Sequence, residues 1–331
     1  MQTIFICIFG ACTQITLHED FTNRYHFYQG VVFMIFFGFG YLMTFLKRYG
    51  MGAVGFTMLL SVVAIQWGIL TEGFFHQLYN IGEHDWHYIH IDIFTVMDSL
   101  FIAGAILISF GGVIGKATPL QLLVMGISEA FFFALNKRLL VLGVVEFVDT
   151  GGSINIHMFG AYFGLAVAWW LGKPASSAEA EGGHISDLFS LIGTIFLWIY
   201  WPSFNAGPLE PNSPQQQRAV VNTILCLTFT VTSTFLTSSF LSSTFKFRPV
   251  DVQNATIAGG VAIGAVADFT LSGSDVAVIG VVAGCLSTFG FARVQEFVEH
   301  KFNIHDTCGI HNLHGMPSVL AGIISIVVTG I

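Results

Sequence analysis

Of 331 residues, 54% are hydrophobic and only 10% are charged. With a mean hydropathy of +0.73, this composition excludes an ordinary soluble core and indicates an integral membrane protein. The net charge of −8 is scattered over loops with no basic stripe, which argues against nucleic acid as a partner. The five cysteines are odd in number and lack CxxC spacing, so they suggest neither a disulfide frame nor a zinc site.

The first apolar run, residues 1–17, has no basic start and no small-x-small cleavage site at its end. It reads as an extra N-terminal span rather than a signal peptide. After polar residues 18–29, further spans are expected at 30–46, 52–75, 90–114, 120–147 and 151–171. Residues 173–185 (Lys-Pro-Ala-Ser-Ser-Ala-Glu-Ala-Glu-Gly-Gly-His-Ile) are the linker-like stretch of the chain. Spans at 187–204, 219–241, 252–271, 276–297 and 305–331 complete about eleven transmembrane helices, an all-α polytopic membrane protein.

Basic residues orient this layout. With the amino terminus inside, Lys47, Arg48, Lys116, Lys173, Lys246, Arg248 and Lys301 fall in cytoplasmic loops, and Arg24, Lys137, Arg138 and Arg218 fall outside. That bias follows the positive-inside rule. The halves 30–172 and 186–331 then enter the bilayer from opposite faces, joined by the cytoplasmic linker 173–185 within one membrane domain, 1–331. Inverted repeats around a polar midplane site are a transporter architecture.

One motif occurs in both halves. Asp149-Thr150-Gly151-Gly152-Ser153-Ile154-Asn155-Ile156-His157 and Asp306-Thr307-Cys308-Gly309-Ile310-His311-Asn312-Leu313-His314 share Asp-Thr-x-Gly-x-x-Asn-x-His. Eight residues of helix rise about 12 Å in a hydrocarbon core about 30 Å thick. Entering from opposite faces, His157 and His314 are expected to meet near the midplane. A single membrane histidine is commonly a satisfied interhelical hydrogen bond; a converging duplicated pair marks a pathway. Two neutral imidazoles share one N–H···N bond and leave a donor and an acceptor for a small polar molecule or its proton. Asp149 and Asp306 stand at the two mouths, either as helix caps or as anions that favour a cation there.

Other polar groups fit weaker alternatives. His84, His87 and His90 have an i, i+3, i+6 spacing but no fourth ligand at a zinc-like distance. His305, His311 and His314 form a loose histidine box. Asn254-Ala255-Thr256 is a formal glycosylation sequon at the inner start of a span, where it is not expected to be used.

Several long runs together resemble the Rh glycoprotein branch of the ammonium transporter superfamily over nearly the whole chain. They are Gly38 to Gly50, Ser109 to Lys116, Phe159 to Leu165, Trp198-Ile199-Tyr200-Trp201-Pro202-Ser203-Phe204-Asn205, Gln253 to Gly260 and Asp306 to Gly315. The resemblance implies a plasma-membrane homotrimer, or a heterotrimer with related subunits, with a central pore in each subunit that carries ammonia or ammonium. It assigns His157 and His314 as twin pore histidines, Phe101 and Phe204 as an outer phenylalanine gate, and Asp149 and Asp306 as vestibule aspartates. It implies no enzymatic activity, cofactor or metal. Ammonium is then expected to lose its proton at the phenylalanine gate, and ammonia to pass the histidines. The alternatives are a carbon dioxide or gas channel, a metal or haem protein using the histidines as ligands, and a non-conducting structural subunit.

The chain departs from the family pattern at four points. Asn136-Lys137 stands where relatives carry Asn-Glu, which weakens an acidic lure at the outer mouth. Ser318 replaces the glycine after Pro317. No sequon occurs in the first outer loop. The resemblance implies another span and a tail beyond Ile331, so a fragment or shortened form is expected.

Overall fold

The computed structural model describes residues 2–17, 20–80, 87–174 and 182–330. Eleven helical segments follow one another in chain order: α1 (Gln2–Cys12), α2 (Phe21–Phe45), α3 (Gly50–Tyr79), α4 (Ile93–Val113), α5 (Pro119–Val145), α6 (Ser153–Leu171), α7 (His184–Ala206), α8 (Pro214–Leu241), α9 (residues 249–264), α10 (Gly273–Phe302) and α11 (His311–Thr329). Among the described residues, nine of these are long and apolar enough to cross a bilayer. The chain is therefore a multi-pass, mostly helical membrane protein.

The two remaining segments differ from the expected spans for separate reasons. α1 has 11 residues, or about 16 Å of rise, which is too short by itself to cross. It ends in a strand, β1 (Thr13–Ile15), that pairs in parallel with β2 (Ile89–Ile91), Thr13 opposite Ile89. Residue 90, expected at the start of a span, thus belongs to a two-stranded ribbon, and α4 begins only after Asp92. α9 is short because it is interrupted by a 3₁₀ turn at Ala255–Ile257. Its residues from Gln253 to Gly264 are almost wholly buried. A helix enclosed by other helices has no need to match the lipid thickness.

The helix starts follow from the sequence. Asp92 caps α4 by accepting from Thr95 N at 2.8 Å. Thr118 and Gln121 form a reciprocal box at the start of α5, and Ser213 and Ser272 cap α8 and α10. Proline in the first turn, where its missing N–H is harmless, opens α5, α8 and α9.

α4 lies at the centre, its residues from Ser99 to Val113 buried without interruption. It packs against α6 through small residues. A Cβ on Gly160 would sit 2.7 Å from Ala105 O, and one on Gly164 2.6 Å from Ser109 Cα. Lipid gives little hydrophobic drive for helix association, so close backbone approach and interhelical hydrogen bonds supply it. Ser109 Oγ, within 2.8 Å of Gly160 O and 2.6 Å of Glu129 Oε1, ties α4, α6 and α5 together. The connection expected at 173–185 lies partly outside the described residues, at 175–181; where description resumes, Gly182 bridges to Leu46.

Candidate functional site

Both copies of the repeated motif build the same turn. Gly152 and Gly309, equivalent in the two copies, adopt φ of 69° and 71°, a left-handed conformation that glycine takes without strain. The reversal brings the preceding aspartate over the start of the next helix. Asp149 Oδ2 accepts from Ile154 N at 2.8 Å and Asn155 N at 2.7 Å. Asp306 accepts from Ile310 N at 3.0 Å and His311 N at 2.9 Å. Four N–H groups at the ends of α6 and α11 are satisfied in this way. Burial pushes the Asp149 carboxyl up to about 6, against the pull of its backbone hydrogen bonds, and raises Asp306 as well. These carboxylates face backbone donors.

Past each cap the helix widens into a π turn, Ser153–Met158 in α6 and His311–Gly315 in α11. A π turn shifts the register and points side chains where a regular helix would not. His157 and His314 sit at these turns, and both are buried. Their rings lie nearly parallel, 9° apart with centroids at 5.1 Å, and their Nδ1 atoms are 3.1 Å apart. One Nδ1 must donate to the other. The donor ring then keeps an accepting Nε2, and its partner offers an Nε2–H. His157 Nε2 is shielded and makes no protein hydrogen bond.

Aromatic rings surround the pair. His157 stacks on Trp201 (centroids 5.6 Å, 23°) and leans on Phe204 (5.7 Å, 38°), while His314 stacks on Phe39 (6.1 Å, 20°). Phe204 meets Phe101 edge to face at 4.8 Å, so the two phenylalanines singled out in sequence touch each other and, through Phe204, His157. On the Asp306 side a cavity of about 20 Å³ touches His314, walled by Phe39, Leu107, Ile108 and Leu313 with Asn254 and Cys308. That is room for about one water-sized molecule.

Among the described residues, the box of His305, His311 and His314 does not assemble. His305 reaches Glu299 at 3.4 Å, His311 meets Tyr162 edge-on at 5.8 Å, and His314 pairs with His157. His90 contacts Thr16 Oγ1 at 2.9 Å and His87 at 5.7 Å between ring centroids; His84 lies outside the described residues. Among the described residues, no three His, Cys, Asp or Glu side chains are placed to hold a metal.

Sequence reasoning passed over three features of the site. Trp201 and Phe39 lie inside runs singled out for their resemblance, yet nothing in spacing alone marks them as stacking partners of the histidines. Lys137 is not a free outer charge: its Nζ lies 3.3 Å from Glu72 Oε1 and 3.4 Å from Asp98 Oδ2, and Arg138 Nε donates to Glu72 Oε2 at 2.8 Å. Arg24, on α2, is buried over the Phe94 ring at 3.8 Å and reaches Glu210 at 3.1 Å.

Comparison with known proteins gives a consistent result. The model of the Ammonium Transporter Family matches residues 15–330. The chain is 43% identical over 314 residues to ammonium transporter Rh type C of Xenopus laevis, covering 94% of this chain and 65% of that relative. It is 45% identical over 316 residues to ammonium transporter Rh type B of Sus scrofa, covering 95% and 67%. It spans about two thirds of the length of these curated relatives. Among solved structures, Nitrosomonas europaea Rh50, described with the conduction mechanism of the Rhesus family of channels, superposes with a TM-score of 0.84 at 31% identity, over 93% of this chain and 80% of that one. Mep2 of Saccharomyces cerevisiae shares the fold at a TM-score of 0.76 and 19% identity, over 92% of this chain and 74% of that one.

Proposed function

Because the chain belongs to the Ammonium Transporter Family, in its Rh-type branch, we propose that it conducts ammonia across the membrane past the His157–His314 pair. The observation that carries this reading is the Nδ1–Nδ1 contact of 3.1 Å between two buried, parallel rings. It commits one nitrogen of each imidazole and leaves two Nε2 atoms, one donor and one acceptor. Ammonia both donates and accepts, so it matches such a pair.

The energetics favour the neutral species. A charge in the bilayer centre costs at least about 3 kcal/mol, and more for an unscreened ion. Removing the proton of ammonium near neutral pH costs roughly two pH units, about 3 kcal/mol, and the neutral molecule then crosses without a Born penalty. In this reading Phe101 and Phe204 exclude water and hydrated ions at the Asp149 mouth, where ammonium returns its proton to the bulk water outside the rings; water on the other side supplies the proton taken up there. Ammonia then moves past the histidines into the small cavity beside His314, and is reprotonated at the Asp306 mouth.

Three further elements belong to the same proposal. The halves 30–172 and 186–331 are inverted repeats, supported by the matching caps, glycine turns and π turns of the two motif copies. Asp149 and Asp306 shape the two vestibules by holding those turns. Three copies assemble in the plasma membrane, each with its own pore, as the family resemblance implies. Carbon dioxide is the rival cargo for an apolar conduit, but it has no proton to donate to the accepting Nε2.

Proteoliposomes test the reading. His157→Ala combined with His314→Ala, at matched protein content, is expected to reduce saturable methylammonium flux to that of protein-free vesicles. Unchanged flux in the double variant would overturn the mechanism.

A further inference from the structure

The first helix stands off from the rest of the bundle. Phe5 is the one buried residue of α1, and it stacks on Trp67 of α3 with ring centroids 6.0 Å apart. Beyond that contact, Ile8, Ala11 and Cys12 continue the same face of α1 along a cavity of about 640 Å³ between α1, α3 and α5. Where α4 meets α6, glycines let two backbones touch; at Gly10 of α1 an added Cβ would find nothing within 4 Å. Helices in lipid associate through close packing and hydrogen bonds. A gap of this size leaves α1 with few partner atoms unless something fills it.

The cavity is graded along its length. Its α3 lining runs from Trp67 to Gln77, about 15 Å of rise, which is half of a hydrocarbon core about 30 Å thick. Its body is apolar, formed by Ile8, Leu70, Phe74 and Phe131 with the Trp67 ring. The polar atoms of that body are already engaged: Trp67 Nε1 donates to Ile127 O at 3.0 Å, and Thr71 Oγ1 to Trp67 O at 3.0 Å. Hydrogen-bonding capacity gathers at the other end. There Gln77 Oε1 accepts from His87 N at 3.0 Å, which fixes the side chain and leaves its NH₂ to donate. Gln77, His87 and Tyr88 also border a second cavity, of about 330 Å³, that holds Glu72 and Asp98, so this end meets polar surroundings. Among the described residues, no lysine, arginine, aspartate or glutamate lines the larger cavity.

A ligand that fits this space is one leaflet long, apolar and broad along its body, with one neutral hydrogen-bonding group at its surface end. We propose that the cavity is a sterol-binding site, with the fused rings between α1 and the aromatic side chains of α3 and α5, and the hydroxyl at Gln77. A phospholipid matches less well. Its phosphate would find no cationic side chain in the lining, and its flexible chain loses more conformational freedom on being held than a rigid ring system does. The sterol supplies the packing that α1 lacks, so the first helix is joined to the bundle through it.

Photolabelling tests the site. The purified full chain in phosphatidylcholine vesicles is exposed to a diazirine analogue of cholesterol, and crosslinks are mapped by mass spectrometry. They are expected on α1 and on α3 between Trp67 and Gln77, and excess cholesterol is expected to abolish them. Ala11→Trp fills the cavity from an exposed position of α1 and is expected to remove the labelling. In Gln77→Leu the cholesterol concentration that halves the labelling is expected to rise about fivefold, the worth of one neutral hydrogen bond. Cholestane, which has the rings without the hydroxyl, is expected to compete on the original chain as weakly as cholesterol does on Gln77→Leu, a comparison that does not depend on how any variant folds. Labelling spread over the lipid-facing helices, or undiminished in Ala11→Trp, would overturn the site. Equal competition by cholesterol and cholestane, or a phospholipid that copurifies in the cavity and is not displaced by cholesterol, would overturn the sterol as its occupant.

Discussion

The two sides of the histidine pair are built from copies of one motif, and they share little beyond it. At both, an aspartate caps a left-handed glycine turn and a π turn presents a histidine. Beyond that the ends diverge. On the Asp149 side Phe101 meets Phe204 edge to face, and Glu72, Asp98, Lys137 and Arg138 form an ion cluster. The Asp306 end has a small apolar cavity, and beside it Lys116 Nζ donates to His305 O while Thr307 Oγ1 donates to Ile114 O at 3.1 Å. The two motif copies share what positions the imidazoles, and the groups around them differ on the two sides.

The shared part gives the largest expected effect. Asp149→Ala or Asp306→Ala leaves two backbone N–H groups without their acceptor. A charged acceptor lost from a shielded site is worth about 3 kcal/mol. Both variants are expected to melt well below the original chain and to lose flux together with stability. Asp→Asn keeps an acceptor and is expected to recover much of the loss at either end. If one copy tolerates alanine and the other does not, the two caps are not equivalent and the comparison fails at its base.

The divergent part gives a smaller and one-sided effect. Phe204 touches both Phe101 and His157, whereas Phe39 stacks on His314, whose other ring contact among the described residues is His157. Phe204→Ala is expected to admit larger amines, raising dimethylammonium flux relative to methylammonium several-fold. Phe39→Ala, at the other end, is expected to leave that ratio within about twofold. A cavity left by either truncation destabilises by about 3–5 kcal/mol in a close-packed core, so the ratio of two fluxes in one preparation is the useful measurement. Equal ratios in the two variants would remove the distinction between the ends.

Most of this arrangement was legible before the coordinates, because its carriers are periodic or repeated. The apolar runs point to the helices, and the repeated motif points to the meeting of His157 and His314 through rise per residue combined with entry from opposite faces. The rest depends on contacts between distant segments that no local pattern encodes. Phe101 and Phe204 could be chosen among 34 phenylalanines only by family resemblance. Lys137 read only as an outer basic residue that weakens an acidic lure, because its partners come from α3 and α4. The short strand at Thr13–Ile15 was hidden in a run whose hydrophobicity suits a helix equally well. The break in α9 follows from its enclosure by other helices, which composition does not report.

Lys116 gives the smallest effect and the one confined to the Asp306 end. Burial lowers its pKa from 10.5 to about 8, against the opposing pull of Asp306, Cys308 and Glu299. In the unfolded chain the ammonium holds its proton up to about pH 10.5, whereas the folded chain releases it near pH 8. Between those values the unfolded state binds more protons, so folding stability rises with pH across that window. Below pH 8 both states are protonated, and the fold carries a constant penalty for the half-buried charge. Lys116→Met removes both the penalty and the slope. Melting temperatures from pH 7 to pH 10.5 are therefore expected to converge, the variant starting above the original chain and the gap closing as pH rises. Tyrosine and cysteine titrations in the same range are common to both proteins and cancel in the difference. Parallel curves would mean that Lys116 is solvated like a surface lysine, and that the Asp306 mouth is open to water at a depth where its contact with His305 O places it under cover.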